Sequence, residues 1–131
     1  MGAKRLQIVL MVAVLTLGAC GWPQFHGDAA HTGYQRFEST IGVSNVSTLT
    51  EAWTAVTGGQ QFSSPAVANG VAYVGSDDGK LYAFDAAGVT NCSGAPRTCS
   101  PLWTATTGKP VQSSPAVVGC ERRSKTGAVV T

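Results

Sequence analysis

Four cysteines, two histidines and a pair of adjacent aspartates are the residues of this 131-residue chain that could do chemistry. Cys92 and Cys99 stand seven apart in NCSGAPRTCSP, a run of turn-forming residues that could bring them within bridging distance. A zinc site needs four ligands, and here there is no second cysteine pair, nor is His26 or His31 near in sequence, so the metal reading fails on ligand count. His26 and His31 lie five apart with Asp28 between them, and two imidazoles in so glycine-bearing a segment read as turn caps rather than metal ligands. Asp77-Asp78-Gly79 lacks the alternating oxygen ligands and closing glutamate of a dedicated calcium loop, and it reads as a hairpin turn. TGKP at Thr107 lacks the spaced upstream glycine and following Ser or Thr of a P-loop, and no G-x-S-x-G occurs. No catalytic, cofactor-binding or metal-binding residue is assigned on these grounds.

The N-terminus specifies a compartment. In MGAKRLQIVLMVAVLTLGAC, Lys4 and Arg5 precede an apolar run from Leu6 to Leu17 and then small residues before Cys20, the layout of an export signal. As a helix, twelve such residues reach only about 18 Å, against a hydrocarbon core of roughly 30 Å, which disfavours a permanent span. LGAC resembles the lipobox of bacterial lipoproteins, in which the cysteine is lipidated and becomes the first mature residue. That resemblance implies a signal peptide over 1–19 and lipidation of Cys20; the alternative is a plain signal peptide with a chance cysteine. Several acyl chains on one cysteine would tether the protein stably. Gly21 replaces the aspartate of an inner-membrane retention signal, which leaves the choice of membrane open. The expected location is extracytoplasmic and membrane-anchored, periplasmic or on the cell surface. In that glycosylation-poor bacterial setting the acceptor patterns Asn45-Val46-Ser47 and Asn91-Cys92-Ser93 carry no assignment. Disulfides persist after export, so a Cys92–Cys99 bridge is expected, with Cys120 the odd cysteine out.

The rest of the chain must position these residues. It is 44% hydrophobic, only 12% charged and holds sixteen glycines, a balance that reads as β. Its middle has no basic stripe with interleaved aromatics, which excludes nucleic acid as a partner. WTAVTGGQQFSSPAV from Trp53 and WTATTGKPVQSSPAV from Trp103 match at ten of fifteen positions without a gap, at a period of 50 that signals a repeat architecture. Between the copies, two β-rich runs flank the Asp77-Asp78-Gly79 turn, so four strands are predicted at about 64–68, 71–76, 80–85 and 102–106. The predicted fold is all-β: four antiparallel strands forming a propeller blade, in an incomplete ring. Apolar or aromatic residues at every position from Leu81 to Phe84 mean that both faces of the third strand need cover, which neighbouring blades supply.

AYVGSDDGKLYAFDA, followed by a glycine and then LWTATTG, resembles the repeat of β-propellers like those of pyrroloquinoline-quinone (PQQ) dehydrogenases. In that family an aspartate, a glycine and a tryptophan lock adjacent blades; the matching residues, implied to be blade-docking, are Ala83, Asp85, Gly88 and Trp103. The cysteine loop between Gly88 and Trp103 departs from the family pattern and lengthens the unit. WPQFHGDAAHTGYQ from Trp22 also resembles the opening of such propellers. The organisation expected is a signal peptide at 1–19, a tail at 20–52, one complete blade with flanking strands at 53–119, and an aberrant tail at 120–131.

After Val117 the period predicts a second VAYVGSDDGKLYAF, whereas the chain gives GCERRSKTGAVVT. A truncated or frameshifted reading frame is the favoured reading and a terminal capping strand the alternative. Rings of this type hold about four to eight blades, so one blade is expected to be a fragment. The leading functional expectation is the N-terminal part of an exported, lipid-anchored propeller acting as a binding or scaffold module, with the membrane, the remaining blades or a protein as partners. The alternative is a fragment of a PQQ-dependent dehydrogenase. Its quinone and calcium residues would lie in other blades, so PQQ and calcium are assigned to a full-length homologue and no cofactor to this fragment.

Overall fold

The computed structural model describes residues 21–35, 38–118 and 128–130, the last as backbone. Cys20, the expected signal peptide over 1–19 and Cys120 lie outside the described residues. The architecture is all-β, with no α-helix among the described residues. Its centre is a four-stranded antiparallel sheet built from β2 (Ala66–Ala68), β3 (Val71–Ser76), β4 (Lys80–Asp85) and β7 (Trp103–Thr106), in the order β2-β3-β4-β7.

Turn chemistry sets this register. Asn69 and Gly70 both take positive φ, 53° and 76°, as a two-residue type I′ hairpin requires, and Ala68 faces Val71 across it. The β3–β4 loop has three residues, Asp77 to Gly79, with Gly79 at φ 77° supplying the left-handed position and Ser76 facing Lys80. The four predicted strands are therefore all present, the first and last starting two and one residues later than the sequence reading placed them.

Side chains alternate across this sheet, and the two faces acquire different neighbours. On one face, Ala66 and Ala68 form a buried cluster with Val117 of β8 (Ala116–Val118), with Tyr73 packed against it. On the other, Tyr82 and Phe84 pack with Cys99, Trp53, Ala55, Val74 and Cys92. Leu81 to Phe84 are all buried as a result, so β4 is covered on both sides.

Two smaller sheets were not apparent in the sequence. β5 (Cys92–Ser93) and β6 (Thr98–Cys99) make a small antiparallel hairpin, and β1 (Thr54–Ala55) joins β6 in parallel, Thr54 opposite Thr98 and Ala55 opposite Cys99. β9 (Ala128–Val130) pairs antiparallel with β8. The sequence reading found no strand signal in that tail, where Val117 stands opposite Val129 and Val118 opposite Ala128.

Candidate functional site: the contacts between repeats

Several polar side chains among the described residues fasten one segment of the repeat to another, Ser63 and Ser114 among them. The turn after β4 is built by Asp85. Its Oδ1 accepts the Ala87 amide at 3.0 Å, and its Oδ2 accepts those of Val89 and Thr90 at 3.2 and 2.6 Å. Hydrogen bonds from Thr90 first, then Ala87, hold the Asp85 carboxyl below the ordinary carboxylate range. The wrapped turn sets Gly88 at φ 65° with its Cα bare toward the Trp53 indole, where an added Cβ would overlap Cδ1 of the ring. Trp53 Nε1 donates to the Ala86 carbonyl at 3.3 Å, and its ring lies 6.1 Å from that of Phe84.

Of the predicted docking residues, Asp85 and Gly88 meet in this turn, and Ala83 is fully buried opposite Trp103 in the β4–β7 register. Trp103 lies elsewhere: it is 43% exposed, beside Tyr73 at 5.9 Å on the opposite face of the sheet. The ring on Gly88 belongs to Trp53, the position one period earlier. The repeat itself carried that signal, because Trp53 and Trp103 open the two matching copies.

A second set of contacts joins the SSPAV copies. The Ser63 hydroxyl, buried, donates to the Gly75 carbonyl at 3.0 Å and accepts the Gly75 amide at 2.8 Å. The Ser64 amide donates to Oγ of Ser114, its own counterpart 50 residues on, at 2.9 Å. The tail completes the join: Trp22 and Val67 exchange backbone bonds of 2.8 and 2.6 Å, while the Val117 amide, 50 residues on from Val67, donates to the Pro23 carbonyl at 2.8 Å.

The β3–β4 turn gathers both linkers that follow the tryptophan copies. The Asp77 amide donates to the Gln60 carbonyl at 3.1 Å and the Val111 amide to the Ser76 carbonyl at 3.0 Å. Tyr82 OH accepts the Gly58 amide at 3.1 Å and donates to Asp78 Oδ2 at 2.5 Å; that bond is the main reason the Asp78 carboxyl sits below its ordinary range. Gly75 has no room for a Cβ, which would overlap the buried Val111 side chain.

The histidines face away from all this. His26 Nδ1 is 3.1 Å from the His31 carbonyl, its ring stacks on Phe25 at 4.0 Å, and Asp28 spends both oxygens on Thr32. Among the described residues no three His, Cys, Asp or Glu side chains group as a metal ion needs, and no helix is long and apolar enough to cross a membrane. Cys92 and Cys99 form a disulfide, as expected from their loop. This arrangement holds one stretch of polypeptide against another. No family model and no curated protein matches the chain.

Proposed function

We propose that the chain is part of an exported, lipid-anchored propeller of the PQQ-like type, serving as a binding or scaffold module tethered through Cys20. The observation that carries this reading is the cover on both faces of the β2-β3-β4-β7 sheet: Trp53 lies on Gly88 on one side, and Ser64 bonds its counterpart Ser114, one period on, on the other. A four-stranded meander so enclosed is how a blade sits among its neighbours in a radial repeat. Ser63, Ser114 and Asp85 spend their polar atoms holding backbone in place, which supports a role in holding surfaces.

Expression of the full chain in a bacterium, with radiolabelled palmitate and a detergent partition, tests the tether: label is expected in the wild type and absent in Cys20→Ala. Equal labelling of the two would refute the anchor. Titration of the same material with PQQ and calcium, followed by tryptophan fluorescence, tests whether this chain by itself forms a quinone site. No saturation is expected, because a single blade supplies at most one wall of a site that must bury most of a planar cofactor; saturable, calcium-dependent micromolar binding would favour the enzyme.

A further inference from the structure

The insert between Gly88 and Trp103 does more than close on itself. β6 is the only strand partner of β1 among the described residues, and β1 belongs to the upstream copy of the repeat. Thr54 donates its amide to the Arg97 carbonyl at 3.0 Å, while Arg97 Nη1 donates to the Gly88 carbonyl at 2.8 Å. One arginine thus ties the insert both to β1 and to the glycine under Trp53. Cys99, 4% exposed, is part of the apolar cluster that includes Trp53 and Ala55, and the Cys92–Cys99 bridge lies within it.

We propose that the Cys92–Cys99 hairpin is a redox-cleavable clasp that holds the upstream strand β1 onto the blade. Strands of two residues do not persist as an isolated hairpin, so the bridge is what keeps Arg97 to Cys99 in line to pair with β1. Cys92 is the more exposed of the two half-cystines and is the sulfur open to attack. A dithiol thiolate attacks the Cys92 sulfur, and Cys99 leaves as a thiolate that takes up a proton. The second thiol of the reductant then displaces Cys92, which is protonated in turn. The protein gains two electrons and two protons, and the dithiol ends as its own disulfide. β1 then loses its partner strand, while the β2-β3-β4-β7 ladder, which contains neither cysteine, stays intact. The clasp depends on neither the membrane anchor nor a closed ring, so its failure and theirs are read separately.

Amide hydrogen exchange on the full chain in detergent micelles, oxidised and after dithiothreitol, tests this. Reduction is expected to lower protection at Thr54 by roughly tenfold or more and to leave amides from Val71 to Asp85 unchanged. The Cys92→Ser, Cys99→Ser double variant should show the reduced pattern without dithiothreitol and no response to it. Three results would overturn the clasp: no protection of Thr54 in the oxidised chain, protection unaltered by reduction, or equal loss at Thr54 and along β3 and β4. Should the double variant fail to fold, the wild-type comparison decides alone.

Discussion

A single glycine and a single aspartate fix how one repeat leans on another. Gly88 combines a left-handed backbone with a cradle that the Trp53 ring fills, so Gly88→Ala meets two penalties at once. The left-handed conformation with a Cβ and the overpacking against the indole should together cost about 2–4 kcal/mol, measured as a fall in the denaturant midpoint at unchanged slope. Asp85 acts through charge. Its folded-state pKa is depressed, so its contribution is complete above the unfolded value and is lost as pH falls through the folded one. Urea midpoints should hold level above about pH 5 and drop below about pH 4. Asp85→Asn, which cannot accept the Val89 and Thr90 amides in the same way, should start lower at neutral pH and show a shallower acid decline; parallel curves for the two proteins would contradict this role. Asp28, Glu38 and Asp78 are lowered too, so some decline remains in the variant.

The elements divide into those written in local sequence and those made by distant pairing. β3 and β4 could be read because Asp77-Asp78-Gly79 separates two β-rich runs, and their ends fall where that grammar puts them. β1, β6 and β9 could not. Each is two or three residues long and exists because another segment offers an edge: β1 pairs with β6 across more than forty residues, and β9 with β8. No periodicity is visible in two residues. The bridge at Cys92–Cys99 was readable from spacing and compartment, but its place beside Trp53 was not, because the contact lies between repeats rather than within the loop. Closing an eight-residue loop is worth about 2.5 kcal/mol in the chain-entropy model, enough to order the insert and small beside the burial of a whole sheet.

Across the whole molecule, the two copies of the repeat are neighbours in space. The period of 50 announced the repetition, and the matching of Ser64 to Ser114 and of Val67 to Val117 gives that period a physical meaning. The family resemblance implied a docking role for Trp103, whose ring lies beside Tyr73 on the face that meets Val117, whereas the ring on Gly88 is that of Trp53. Nuclear Overhauser measurements on the isotopically labelled full chain address this most directly. Cross-peaks are expected from the Ser64 amide to the Ser114 β-protons and from the Trp53 indole to Gly88, alongside the β3–β4 cross-strand set. Intact β3–β4 peaks with both inter-repeat contacts missing would contradict that packing, leaving a hairpin sheet whose repeats do not pack together.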